Sequence, residues 1–456
     1  MRGRLTSWFD SDILTGKQVL GIYFPLLGEQ LFFGLVAMLG TWMIASEGEV
    51  AVSAVTMVNA FNMMFMQICQ AFGTGGTVVV AQYTGAQNPK LAAKTLQQSM
   101  SVSFLIGLAI MSILLVGREG IVRFFLAGAP PEVLGLSLVY FTGISISIPF
   151  FSLYQGFAGG MRGWGRTKIA LNLTLFVNCM EIALSALLVL ALHMGVVGIA
   201  SAIVVSRVLG SIIAVIYILR HRVELSITIA DFFHPVWPIL RGLMMVATPV
   251  VLEQTFFHSG RALTQRFIAS YGTTHMVANA ASSIVYNIGA APSNALTTAT
   301  LTIIGMCIGR ERIDLAKEYT NKFVRTTTIL CLIVLIPIFP FTALINRLYN
   351  VTAEAAVLTY MAVGVFHIGA PLFMGRHTIV PSALRSGGDA VFTSLVALLS
   401  MWLVRVTLAL LFTRVLSMGV VGVISAMVLE WGVRGVVFGA RYKTDKWYRH
   451  SIIIRE

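Results

Sequence analysis

The sequence predicts an all-α polytopic membrane protein, with twelve transmembrane helices in two six-helix lobes related by pseudo-twofold symmetry along the membrane normal. Three observations carry that prediction. Of the 456 residues, 57% are hydrophobic and 11% charged, whereas a soluble domain has roughly 25% charged residues. So little charge cannot coat a water-facing surface. Apolar runs long enough to cross about 30 Å of hydrocarbon recur along the whole chain. The second half also repeats the first at a constant spacing of 224 residues.

The repeat is in register throughout. Pro25, Glu29, Gln30, Phe32 and Phe33 recur as Pro249, Glu253, Gln254, Phe256 and Phe257. Gly48 recurs as Gly272, Gly85 as Gly309, and Met194 to Gly198 as Met418 to Gly422. Matches spread over nearly a whole half define a duplicated unit of about 220 residues. Each copy has a proline and a carboxylate inside an apolar helix.

In chain order, the first set of spans is expected at 18–45, 54–83, 93–116, 133–160, 168–192 and 195–219. The second is expected at 242–270, 278–308, 318–345, 355–383, 390–415 and 419–440. The expected domains are an N-lobe at 1–219, a cytoplasmic linker at 220–241 and a C-lobe with its tail at 242–456. The linker carries Arg220, Arg222, Asp231, Pro235 and Pro238, which suit a surface segment. Six spans per copy make the copies parallel in the membrane. Two such lobes are expected to enclose a central cavity.

The short connections fit this plan. Gly73, Gly75 and Gly76 thin the second span so that neighbouring backbones approach closely. The stretches 162–166 and 385–389 are a second related pair, offset by 223, so a small indel lies before Met418. These glycine-rich turns lack the GxxxxGK[ST] spacing of a phosphate loop and read as helix-hairpin turns.

The net charge of +13 is not spread evenly. Basic residues gather in alternate loops, from Arg2 and Arg4 through Lys90 and Lys94 to Arg441, Lys443 and Lys446, while intervening loops hold few. This positive-inside bias places both termini in the cytoplasm of a plasma (inner) membrane protein. It points to membrane lipids as partners and away from nucleic acid. Cys69, Cys179, Cys307 and Cys331 have no CxxC spacing and read as structural thiols without a disulfide or metal role. No signal peptide is evident. No HExxH, GxSxG or nucleotide-binding loop is present, so an intramembrane enzyme or a receptor is disfavoured, and no catalytic residue or cofactor is expected.

An ordered set of motifs carries a family resemblance. It comprises Pro25 with Glu29 and Gln30, Met43 to Ser46, Gly48 to Val55, and Gly73 to Gly85. In the second half it continues with Glu253, Gly272, Ala278 to Ala280, Gly305 to Gly309 and Pro381 to Asp389. Met401, Trp402 and Arg405, then Glu430, Trp431 and Arg434, complete it. Together they resemble the multidrug and toxic compound extrusion (MATE) transporters of bacterial type, over essentially the full chain. That resemblance implies a secondary antiporter that exports amphipathic, often cationic organic compounds in exchange for H⁺ or Na⁺ by alternating access. A flippase or exporter of an anionic or lipid-linked metabolite is the alternative within transport. One departure stands out: many family members carry a first-helix aspartate where this chain has Gly40.

A charge at the bilayer centre costs about 3 kcal/mol or more, so each one needs a reason. Pro25 removes a backbone donor one turn before Glu29 and frees a carbonyl, so the pair offers oxygen ligands for Na⁺ or a proton site. Glu253 beside Pro249 repeats the arrangement. Glu29 and Glu253 are therefore expected cation-coupling acids, and Pro25 and Pro249 expected hinges. Asn178 and Glu181 lie on one face of the fifth helix, and the resemblance implies a cation site there. Arg261, His258, His367, Arg376, Arg405, Gln70 and Asn294 are candidate cavity residues, with Arg261 expected to share the C-lobe interior with Glu253. The histidines, His377 among them, are candidate proton relays. The cluster Met63, Met64, Phe65 and Met66 suits adaptable apolar binding, with core packing as the plainer reading. A monomer is expected.

Overall fold

The computed structural model describes residues 7–45, 47–126, 129–223, 232, 234–348, 351–448 and 452–453. Among these, all regular secondary structure is helical. The first half holds α1 (Gly16–Ala45), α2 (Glu49–Gly85), α3 (Pro89–Phe125), α4 (Pro131–Gly163), α5 (Thr167–Ala191) and α6 (Gly195–Arg220). The second holds α7 (Trp237–Ala269), α8 (Thr273–Gly309), α9 (Ile313–Leu348), α10 (Ala353–Ser386), α11 (Ala390–Arg414) and α12 (Gly419–Lys443). The eleven from α2 onward are long and apolar enough to span a membrane, and α1 adds a further 30-residue helix. The fold is the predicted twelve-helix polytopic bundle. Gly40 lies on the helical backbone of α1, but its side-chain environment falls outside the described residues, as does Asp231.

Local chemistry sets the helix boundaries. The Asn88 side chain accepts from the Leu91 amide at 3.1 Å, and Pro89 fills the first helical position of α3, where its missing N–H is no loss. Thr352 caps α10 in the same way, accepting from the Ala355 amide at 3.4 Å. Three helices widen into π turns, at Ala186–Ala191 in α5, Gly375–Ile379 in α10 and Ser400–Val406 in α11.

The duplication is written into the backbone. Ten of the eleven left-handed residues among the described ones occur in matched pairs, Asp445 being the exception: Gly48 at φ 90° goes with Gly272 at 89°, and Gln87 at 57° with Glu311 at 62°. His193 at 51° pairs with Ser417 at 53°, and Gly195 at 53° with Gly419 at 52°. Gly165 and Gly388, at 77° and 95°, form the pair displaced by one residue. Independent turns would not share such φ values at a fixed spacing.

Two compact units emerge, and they divide the chain differently from a cut in the linker. One comprises residues 1–30 with 252–452, the other 31–251 with 453–456. The boundaries fall inside α1 and α7, a few residues after Pro25 and Pro249, while both helices run unbroken through these prolines. Glu29 thus groups with Glu253 in the first of these, the C-terminal unit.

In the unit of residues 31–251, α2 and α4 meet through glycines. A Cβ on Gly159 would lie 2.1 Å from the Gly73 carbonyl oxygen, so only hydrogen fits. Thr77 Oγ1 stitches the crossing, donating to the carbonyls of Gly159 (2.9 Å) and Gly73 (3.0 Å). The end of the linker is pinned to α3, where Gln98 Nε2 donates to the His234 carbonyl (3.1 Å) and Ser101 Oγ to that of Phe232 (3.1 Å).

In the C-terminal unit, the segment before α1 and the one that ends α12 both pack on the start of α9. Tyr319 O–H donates to the Phe9 carbonyl at 2.9 Å, and Phe9 packs on Phe323. At the other end Lys317 pairs with Asp445 at 2.7 Å, and Trp447 is fully buried against Tyr442. Three of the four cysteines are buried, whereas Cys179 on α5 is exposed.

Candidate functional site

Two groups of buried charge lie within the membrane-spanning helices, one in each unit. In the unit of residues 31–251 the central residue is Arg207, midway along α6 and 4% exposed. Its Nη1 donates to Ser147 Oγ at 2.8 Å, and its guanidinium lies over the Phe151 ring at 4.7 Å. Nη2 contacts the Met66 sulfur at 3.7 Å, so the methionine cluster packs partly on this base. Glu181 is half-buried on α5 and lies in the field of Arg207. Tyr140 of α4 feels both charges. Asn178 is half-buried on the Glu181 face.

Arg207 went unrecognised in the sequence, although the signal was present. It stands alone in the apolar run 195–219, where a base needs an acid or a ring to remain. Its charge makes the Glu181 site an acid–base couple, poorer in net negative charge than a lone carboxylate.

The C-terminal unit holds a larger network. Glu253, 6% exposed, accepts from Arg385 Nη2 at 2.6 Å and from Ser394 Oγ at 2.8 Å, both at Oε2. Its Oε1 lies 3.9 Å from Arg434 Nη2. Arg434 Nη1 donates to Glu430 Oε1 at 3.2 Å, and Ser400 Oγ to the same oxygen at 2.8 Å. A separate pair joins Arg441 to Asp389 at 2.7 Å.

This arrangement corrects two expectations. Arg385 is no mere cytoplasmic-turn residue, since it reaches back from the last turn of α10 to neutralise Glu253. Arg261 is exposed and does not pair with Glu253. Eight helical residues separate the two by about 12 Å along the axis and about 80° around it, too far for direct contact.

The remaining candidates are scattered. His258 is half-buried and meets the Phe257 ring edge-on. The His367 ring nitrogens face the carbonyls of Val363 (2.7 Å) and Leu335 (2.6 Å), which ties α10 to α9. His377 stacks on Trp431 at 4.9 Å, and neither ring nitrogen has a hydrogen-bond partner. Among the described residues no hydrogen bond or ring contact joins these three histidines to one another. Arg376 and Asn294 are exposed, and Gln70 is half-buried. Arg405, 7% exposed, lies over the Phe257 ring at 5.7 Å. Glu29 and Pro25 are half-buried and buried on α1, and Pro249 is half-buried on α7.

A cavity of about 890 Å³ opens elsewhere in the unit of residues 31–251, at the ends of α2, α3 and α4. Glu49, Ser53, Met57, Phe61, Phe125 and Val133 line it. It is apolar with one carboxylate at its margin, and it contains neither Glu181 nor Arg207. Among the described residues no cluster of histidine, cysteine or carboxylate side chains is arranged to hold a metal ion.

Duplicated apolar helices with buried acid–base groups define a multi-pass membrane protein. The chain belongs to the MatE family, whose model matches residues 25–187 and again 249–411, beginning at the equivalent prolines of the two copies. Among relatives, "Uncharacterized transporter YisQ" of Bacillus subtilis is 25% identical over 452 residues, covering 95% of each chain. "Probable multidrug resistance protein NorM" of Thermotoga maritima is 22% identical over 451 residues, covering 96% of this chain and 95% of the relative. A solved structure described as "Crystal structure of MATE in complex with MaL6" superposes with TM-score 0.88 at 18% identity, covering 97% of this chain and 98% of the other. A Pyrococcus furiosus transporter of the MOP superfamily, reported with reversed polarity of its binding pocket, gives 0.86 at 18% identity, covering 97% of both chains.

Proposed function

We propose that this chain is a secondary antiporter of the plasma (inner) membrane, exporting amphipathic, chiefly cationic organic compounds in exchange for H⁺ or Na⁺ by alternating access. The observation that carries the reading is the distribution of acids within the spans. Glu253 is occupied by Arg385, whereas Glu181 faces a single base, and Glu29 repeats the proline–carboxylate pattern of α7 at the equivalent place in α1. Glu181 is therefore a coupling acid with Asn178 as a further oxygen ligand, Glu29 is the second by its place beside Pro25, and Glu253 contributes structure. A coupling cation that neutralises Glu181 releases the hold of Arg207, and an organic cation competes for the same carboxylate. Mutual exclusion of two cations at one acid is the linkage that exchange requires. Pro25 and Pro249, a few residues before the unit boundaries, are the hinges.

Relatives named as multidrug resistance and export proteins support small organic substrates. The alternating basic loops support cytoplasmic termini. The protein works as a monomer in contact with lipid. The test is uptake into proteoliposomes under separately imposed pH and Na⁺ gradients, with fluorescent cations and anions. Glu29→Gln and Glu181→Gln are expected to lower gradient-driven transport about ten-fold each while reaching the membrane normally. Unchanged coupling in both variants sinks the assignment.

A further inference from the structure

The two copies differ at one edge of the membrane. In the first copy the end of the linker lies across α3, where Gln98 donates to the His234 carbonyl and Ser101 to that of Phe232. The 224-residue spacing matches Phe232 with Trp8, Gln98 with Lys322 and Ser101 with Arg325. The second copy keeps the arrangement, since the segment before α1 lies across α9, held by the Tyr319 hydroxyl and by Phe9 on Phe323. Its chemistry is different. Two neutral donors that bind backbone in the first copy are replaced by two bases.

Those bases are not used up within the protein. Arg325 is exposed, and among the described residues it has neither an ion pair nor a hydrogen bond. Lys322 pairs with Glu318 at 2.7 Å, and its ammonium lies 6.0 Å from the centre of the Trp8 ring and 5.8 Å from that of Tyr319. The acids of the segment before α1 are engaged: Asp10 accepts from the Gly16 amide at 2.6 Å, and Asp12 from Arg312 at 3.4 Å. Two bases against the one acid Glu318 leave a positive charge centred on Arg325.

The surroundings specify what neutralises it. Arg325 shares a face of α9 with Ile329, Leu332, Ile333 and Ile336, all exposed. Exposed apolar side chains along a membrane span meet acyl chains. Arg325 stands where the charged start of α9 gives way to that stripe. Trp8, also exposed, is of the residue type enriched at the membrane–water boundary. Base, indole and apolar stripe thus follow one another as the phosphate, glycerol and chains of a phospholipid do.

We propose that Arg325, Lys322 and Trp8 form a binding site for the headgroup of an anionic phospholipid, whose chains lie along Ile329, Ile333 and Ile336. The first copy has no such site, because Gln98 and Ser101 are uncharged and held by the linker. The cytoplasmic leaflet follows from the orientation proposed above. The site itself depends neither on that orientation nor on what the protein transports.

The experiment is native mass spectrometry of the full-length protein in detergent, titrated with phosphatidylglycerol or with phosphatidylcholine of the same chains. Phosphatidylglycerol is expected to bind roughly ten-fold tighter, since each base near an anionic headgroup contributes about five-fold and Glu318 opposes part of it. That preference is expected to disappear in the Lys322→Gln/Arg325→Gln double variant and to persist in Arg220→Gln/Arg222→Gln, which removes two bases elsewhere. Inorganic phosphate in molar excess is expected to leave the lipid bound. Equal binding of the two lipids by the unaltered protein overturns the proposal without recourse to any variant. So does an intact preference in the double variant, an equal loss in the Arg220→Gln/Arg222→Gln control, or displacement by phosphate, which would make the site one for the free ion. Should the double variant fail to fold, Arg325→Gln alone, at an exposed position, is expected to lower the preference about five-fold, and an unchanged preference there counts against the site.

Discussion

Glu253 shows how a single residue changes meaning once its neighbours are known. In the sequence it is the repeat of Glu29, an acid in an apolar helix beside a proline. In the structure it carries an Arg385 guanidinium at 2.6 Å and a serine hydroxyl at 2.8 Å. Removing one partner of a buried pair leaves the other charge uncompensated, which destabilises by about 3 kcal/mol or more. Glu253→Gln should therefore lower the melting temperature in detergent clearly, and adding Arg385→Gln should restore most of the loss. A single variant that melts like the unaltered protein would show the pair to be idle. The partnership was not legible because 132 residues separate its members and no local pattern links them. Arg207 is the opposite case: its mid-span position was visible, and the cost of an unpaired base in hydrocarbon demanded an explanation.

At the scale of elements, the spans were legible and their ends less so. The third was expected at 93–116 and α3 runs over Pro89–Phe125. Hydropathy registers only the part in hydrocarbon, whereas Lys90, Arg118 and Arg123 continue the helix beyond the apolar run. The π turns were not legible at all, since they answer to packing and the sequence there keeps helical apolarity. The glycine run in α2 was read correctly as a close approach. Gly159→Ala should destabilise by about 1–3 kcal/mol through overpacking, because its new methyl group meets backbone, which cannot move aside. Gly120→Ala, with nothing within 4 Å of its Cβ, serves as the control and should leave stability unchanged or raised. Thermal unfolding of the two variants decides, and equal melting would refute the crossing as drawn.

The whole molecule is a duplication, and its most legible property was the 224-residue spacing, which reappears in shared φ angles and in two family matches of equal extent. The compact units were not legible, because contacts rather than chain order define them, and residues 1–30 join the second half. With the basic residues gathered in alternate loops, a reporter fused after residue 456 is expected on the cytoplasmic face. Alkaline phosphatase placed there should be inactive and green fluorescent protein bright, and the reverse pattern would invert the assigned orientation.

One exposed thiol among three buried ones has a practical side. Cys179 sits on the helix of Asn178 and Glu181, so the natural chain already carries a selective attachment point for a spin label or fluorophore next to its proposed ion site. Charged methanethiosulfonate reagents modify cysteines bathed in water far faster than those facing acyl chains. Their rate at Cys179, followed while Na⁺ or pH is varied, would make this helix its own gauge of hydration.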